Sequence, residues 1–274
     1  MSMSRRGRLL AATLFPLGML ILVGSFFHPS HDRRWAADQA VLPTAESADS
    51  LVTLHGVRNF RWTSDSTFAA AWEDRRYDLD QVATAWYVVV PFARAWRGPA
   101  HAFVSFGFAD GRYLAISIEA RREQGEEYGL LKGLLRQFEL LYVIGDERDL
   151  IGRRAMYDGT DVYLYPVRAS RAAVRSVLQA MLERANAIHD RPEFYNTITN
   201  NCTSNLVRHV NQLVPGRIPS SWRTLLPGYS DEVVHRLGLI DSTGSIAEVR
   251  ARYRINDRAR AAWDAADFSA RIRE

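Results

Sequence analysis

The chain has 274 residues, 47% of them hydrophobic and 24% charged, with a formal net charge of +4. These proportions exclude a disordered chain and a polytopic membrane protein, and about 240 residues beyond an N-terminal apolar run are enough for one domain with a buried core. The basic excess is thinly spread, and no dense cationic cluster interleaved with aromatics marks a nucleic-acid surface, so no nucleic acid partner is expected.

Residues 1–8 form a basic tail with Arg5, Arg6 and Arg8, and Leu9 to Phe27 follow with no charge over 19 residues. A helix of that length is about 28 Å long and just spans a bilayer. The preceding arginines keep the tail in the cytoplasm and send the rest of the chain across. A cleaved signal peptide is the competing reading, but no small-x-small site follows, so a single-pass inner-membrane anchor carrying a periplasmic domain is expected. Residues 28–50 are polar, without a sustained period, and read as a linker.

The domain is expected over residues 51–240. Leu51 to Val57 reads as its first strand, and Arg58 to Asp78 as an irregular stretch rich in arginine and aromatics. Trp86 to Val90 is a buried-strand run closed by Pro91. His101 to Gly107 and Arg112 to Ala120 flank Ala109, Asp110 and Gly111, a hairpin signal. Glu139 to Ile144 and Val162 to Val167 bring the total to about five or six strands. Ser170 caps a helix whose apolar stripe runs Val174, Val177, Leu178, Met181, Leu182 and Ala185. A second helix starts at Cys202 and ends before Pro215 and Gly216. Residues 241–274 read as a C-terminal helical extension. The fold class is α+β, an antiparallel sheet packed on helices and preceded by one transmembrane helix.

Cys202 is the single cysteine, so no intramolecular disulfide can form, and an unpaired thiol in an oxidising compartment is best explained by a task. It stands in the expected first turn of a helix after Asn200 and Asn201, where unpaired N–H groups and the helix dipole favour a thiolate and can receive an oxyanion. Asn201 therefore joins the site as a binding residue.

Of the histidines, His28 and His31 fall in the linker, and His209 lies about 10 Å along the helix from Cys202, too far for a hydrogen bond. His101 opens a strand after Gly98 and Pro99, where a side chain can project from the sheet edge toward a packed helix terminus, and is the candidate base. In a hairpin centred near Asp110, Glu119 stands opposite His101 and is the candidate third member, with Ser117 the alternative after a slip of two residues. Arg121 beside Glu119, and Arg148 in the charged cluster of Glu147, Arg148 and Asp149, are candidate binding residues for a carboxylate or anionic headgroup. There is no HExxH, CxxC or Gly-x-Ser-x-Gly, and neither a metal nor a cofactor is expected.

The succession VRNFRW, HAFVSFGF, SIEARRE, LLRQFELLYVIGDERD, VYLYP and FYNTITNNCTSNL resembles the Lnb N-terminal periplasmic domain family over roughly residues 50–240. The resemblance implies a circularly permuted papain-like fold, similar to NlpC-like and lecithin retinol acyltransferase-like proteins, in which the histidine strand precedes the cysteine helix. It implies catalytic roles for His101 and Cys202 and a polar third member at Glu119. It further implies a thiol acyltransferase in lipoprotein N-acylation, with inner-membrane lipid and lipoproteins as partners. Larger members carry a C-terminal multi-helix membrane part, which implies here either a separate integral membrane partner that supplies it or different work on the same chemistry. A cysteine peptidase or amidase acting on envelope peptides, and a noncatalytic envelope binding module, are the alternatives.

Overall fold

The computed structural model describes residues 28–93 and 98–274. The expected anchor over 9–27 lies outside the described residues, and among those described no helix is long and apolar enough to cross a membrane. From Arg34 onward the chain forms one body.

Ten strands are formed among the described residues: β1 (Thr44–Ala48), β2 (Leu51–Arg58), β3 (Arg61–Trp62), β4 (Phe68–Ala69), β5 (Trp72–Asp78), β6 (Val82–Pro91), β7 (Ala100–Phe108), β8 (Tyr113–Arg121), β9 (Glu139–Gly145) and β10 (Tyr163–Pro166). Eight of them build one sheet in the order β1-β2-β9-β8-β7-β6-β10, with β5 also on β2, while β3 and β4 pair separately. The ladders are antiparallel except for a single parallel pairing, Arg58 with Gly145, between β2 and β9. The helices are α1 (Leu130–Leu134), α2 (Arg153–Tyr157, after a π turn over Arg148–Gly152), α3 (Arg171–Asp190), α4 (Cys202–Leu213), α5 (Trp222–Leu225), α6 (Ser230–Arg236), α7 (Ile246–Tyr253), α8 (Asn256–Ala261) and α9 (Phe268–Arg271).

Both faces of the central strands are covered, which is why WYVVV in β6 and LLYVI in β9 read as nearly continuous apolar runs. On one face Ala102, Val104, Phe106, Ile116, Ile118 and Tyr142 pack against Leu178, Met181 and Leu182 of α3 and against Cys202 and Leu206 of α4. On the other, Val88, Val90, Phe103, Ala115, Leu141 and Val143 meet Leu150, Ile151 and Ala155 and the C-terminal Ile255, Ala259, Phe268 and Ile272. Each large aliphatic side chain buried in this way contributes roughly 1.5–3 kcal/mol. The fold class is α+β, with a large, mostly antiparallel sheet.

Two expected boundaries are corrected. The stretch from Arg34 to Ser50 is not a linker: β1 pairs with β2, the Ala36 N–H bonds Arg122 O at 2.9 Å, and Gln39 is buried. Its polar composition conceals this, because β1 is an edge strand that buries only Ala45. Residues 241–274 are helical, as expected, but they close the second core rather than extend the domain. The irregular stretch from Arg58 also turns out to hold β3, β4 and β5.

Candidate active site

The site is created by a parting of the sheet. β7 and β8 pair from Gly107 opposite Tyr113 to Val104 opposite Ile116, residues whose numbers sum to 220 as the hairpin requires, and there the ladder stops. Beyond that point β7 stays with β6 as far as Ala100, and β8 stays with β9 as far as Arg121. The Phe92 N–H donates to Pro99 O at 3.1 Å, so by the alternation of an antiparallel ladder His101 and Phe103 turn their backbone groups to β6, while Ala100 and Ala102 turn theirs to the gap. Buried backbone groups must find other partners. The Ala102 N–H lies on the Cys202 side of the gap, where it favours the thiolate, and on the facing strand Ala120 O accepts from Gln39 Nε2 at 3.2 Å.

A cleft of about 420 Å³ fills the parting, lined by Cys202, Ala100, Tyr128 and Tyr195 from one face and by His101, Glu119, Arg58 and Arg154 from the other. His101 therefore does not project toward α4 in the way its place at a strand start suggests. Its ring stacks on Phe103, 5.3 Å between centroids, on the far face, and it shares the cleft with Cys202 because the strands diverge.

Cys202 is the first residue of α4. Asn201 caps the helix by accepting from the Ser204 N–H at 2.8 Å, and the Ser204 hydroxyl accepts from the Asn201 N–H at 2.8 Å, a reciprocal box that fixes the helix start. Burial pushes the thiol above its ordinary pKa, opposed by the N–H of Ala102, the Thr203 hydroxyl 3.8 Å away, and the N–H groups of Thr203 and Cys202. The resting sulfur is thus a thiol held beside the peptide that joins His101 to Ala102. Among the described residues no direct hydrogen bond links the sulfur to the imidazole.

His101 Nε2 lies 2.6 Å from Ser117 Oγ, and that hydroxyl lies 2.8 Å from Glu119 Oε1. Burial raises the Glu119 carboxyl, but Arg154, His101, Arg58 and the Ser117 hydroxyl outweigh it and hold the group well below the usual carboxylate range. An ionised Glu119 can only accept, so the one Ser117 hydrogen goes to it, and Ser117 accepts from His101. This assigns the imidazole proton to Nε2 and leaves the Nδ1 lone pair as the basic position. Burial, then the Arg154 charge, lower the imidazole pKa to about 4 against the pull of Glu119. Glu119 is itself held by Arg154 Nη2 at 2.9 Å and Gln39 Nε2 at 3.1 Å.

The other candidates are placed elsewhere. Arg121 does not pair with Glu119; it is buried, stacked over Trp35, and donates to the carbonyls of Gln39 at 3.0 Å and Ala40 at 2.7 Å. Arg148 donates to Ala265 O and lies over Phe268, away from the cleft lining. Its neighbours Glu147 and Asp149 are buried rather than solvated. Asn201 acts as the cap and does not line the cleft. His209 is buried against the Tyr142 hydroxyl at 3.0 Å.

Sequence reasoning missed Arg154, Gln39 and the direct role of Ser117. Ser117 had a signal, since diagonal neighbours on one sheet face are within reach of long side chains. Arg154 and Gln39 had none, because each reaches Glu119 from an element distant in sequence.

A family model described as the Lnb N-terminal periplasmic domain matches residues 68–228, which take in His101, Ser117, Glu119, Arg154 and Cys202 and leave out Gln39 and Arg58. Searches of curated proteins and of solved structures found no match. The match covers more than half of the chain, and the protein belongs to the Lnb N-terminal periplasmic domain family, a family of periplasmic domains of the cell envelope.

Proposed function

We propose that the domain is a papain-like cysteine acyltransferase, anchored in the inner membrane by residues 9–27, which transfers an acyl group from membrane lipid to an amine such as that of a lipoprotein. One observation carries the reading: Cys202 and His101 line the same cleft, while the relay through Ser117 to Glu119 holds the His101 proton on Nε2. Nδ1 is then the nitrogen able to take a proton in the cleft.

In the first half-reaction His101 Nδ1 takes the Cys202 proton as the sulfur attacks the ester carbonyl. The oxyanion is met by the N–H groups around the sulfur, the carbon–oxygen ester bond breaks, and the alcohol leaves with the proton from Nδ1. In the second, an amine attacks the thioester and gives a proton to Nδ1. The carbon–sulfur bond breaks and an amide forms, with the thiol restored by the same nitrogen. Water in place of the amine gives the hydrolase. The lining arginines are each ion-paired, Arg58 with Asp149, Arg122 with Asp38, Arg153 with Asp158 and Arg154 with Glu119, so the cleft meets the donor with a polar wall of balanced charge.

The test is mass spectrometry of the full chain incubated in bilayers containing an alkyne-tagged phospholipid. A tagged adduct that neutral hydroxylamine removes, and that is lost in Cys202→Ser and His101→Asn, supports the reading. Absence of any adduct on the unaltered protein overturns it. Added peptide amine yields tagged amide from a transferase, whereas tagged free acid alone identifies the hydrolase.

A further inference from the structure

Helix α1 is amphipathic in the wrong sense for a protein surrounded by water. Its inward side is Gly133, where an added Cβ would come within 2.5 Å of Thr197 Oγ1 and 3.1 Å of the Tyr195 ring. Its leucines face out: Leu131 and Leu135 are 68% and 67% exposed, and Leu130 and Leu134 are 44% and 43% exposed. Ile198 adds another aliphatic side chain at 46%, on the loop that runs into Cys202. That loop is tied to α1, with Thr197 Oγ1 donating to Leu130 O at 2.8 Å and Asn196 Nδ2 to Leu134 O at 3.1 Å. Large exposed apolar patches of this kind mark an interaction surface.

Three features identify the occupant. The first is position, since Tyr128 and the half-exposed Phe92 meet edge to face at 5.9 Å and both line the cleft, so apolar surface continues to its mouth. The second is the chain's own route. It enters the body at Trp35, which bridges to Glu123, and at Arg34, whose carbonyl accepts from the Gln124 N–H at 2.7 Å, six residues before Leu130. In the sequence this entry follows the uncharged run Leu9 to Phe27 by only seven positions. The third is charge, because exposed Lys132 and Arg136 stand among the leucines, the pattern of an element lying at a bilayer surface.

We propose that the face formed by Leu130, Leu131, Leu134, Leu135 and Ile198 docks into the interfacial layer of a lipid bilayer and brings the cleft mouth to the acyl chains. This deepens the acyltransferase reading and rests on residues 9–27 being the anchor.

The test uses the full chain with Cys202→Ser, carrying a single spin label at Leu131→Cys, Leu135→Cys or, as the aqueous reference, Ser66→Cys. Each is reconstituted into vesicles of phosphatidylethanolamine and phosphatidylglycerol that hold no other protein. The expected result is a several-fold higher ratio of oxygen to water-soluble nickel accessibility at positions 131 and 135 than at 66. Labels as wet at 131 and 135 as at 66 overturn the proposal, as does a chain that fails to remain with the vesicles. Protection that appears only after envelope proteins are added also overturns it, because the face then meets a protein. None of these outcomes bears on the adduct at Cys202, so failure of the docking face is distinguishable from failure of the proposed chemistry.

Discussion

His101 and Glu119 stand on β7 and β8 beyond the point where the two strands cease to pair, and they meet through a third side chain: His101 Nε2 is 3.9 Å from Glu119 Oε1, with the Ser117 hydroxyl 2.6 Å from one and 2.8 Å from the other. The carboxylate therefore acts on the imidazole through a hydroxyl that has one hydrogen to give. The tautomer of His101 is set by Ser117 as much as by Glu119.

Replacing Ser117 by Ala removes that hydroxyl and leaves the Nε2 proton without its acceptor. The expected outcome is a fall of about 10- to 100-fold in the rate of Cys202 acylation, the loss associated with an unsupported proton-transfer group, with partial rescue in Ser117→Thr. Measuring the rate against pH separates this from simple destabilisation, because a change of tautomer moves the profile and lost packing does not.

Acidification should destabilise the fold before any carboxylate is protonated. His101 and His209 are both held neutral by burial, each with its pKa lowered to about 4. Below the ordinary histidine value near 6.5 the unfolded chain takes up protons that the folded chain refuses, so stability falls from about pH 6.5 toward pH 4 by up to about 3 kcal/mol for each. Glu119, depressed in the fold, adds a further loss once the pH drops below its ordinary value of 4.5. Urea denaturation between pH 7 and pH 4 should show this slope, and His209→Gln should flatten it. A stability independent of pH over that range would refute the assignment.

Asp149 is a fully buried acid whose two oxygens are both satisfied by the protein. It accepts from Arg58 Nε at 2.9 Å and Nη2 at 3.0 Å, from the Phe60 N–H at 2.9 Å and from Trp62 Nε1 at 2.7 Å. Asp149→Ala leaves a buried guanidinium without its partner, and the expected loss is about 3–5 kcal/mol. Chemical denaturation of the variant measures it, and a loss under 1 kcal/mol would contradict the burial of the pair.

Asn201→Ala removes the cap of α4, at an expected cost of about 1 kcal/mol. It also frees the first turn that carries the thiol. Alkylation of Cys202 by iodoacetamide should be slow at neutral pH in the unaltered protein, since burial raises the thiol, and faster in the variant as the turn loosens.

Much of this fold was legible because local chemistry and packing agreed. Asp110 and Gly111 gave the β7–β8 turn and its register, and the stripe from Val174 to Ala185 gave α3. The parting of the strands was not legible, since HAFVS and SIEAR keep their alternation past the point where pairing ends. What occupies the parted edge of β8 comes from elsewhere in the chain, with Gln39 bonding Ala120 O. The C-terminal contribution was equally hidden, because Ile255, Ala259, Ala262, Phe268 and Ile272 are scattered among charged residues and acquire a common face only when two short helices fold against the sheet.

The sulfur is also part of the core. Cys202 is 3% exposed and belongs to the same apolar cluster as Ala102, Val104 and Leu206, beside the stretch of β7 that has lost its partner strand. Trimming it to a methyl group leaves a void there, and a silent Cys202→Ala protein would confound loss of chemistry with a loosened strand. Serine, close to cysteine in size, is the cleaner blank for every comparison at this site.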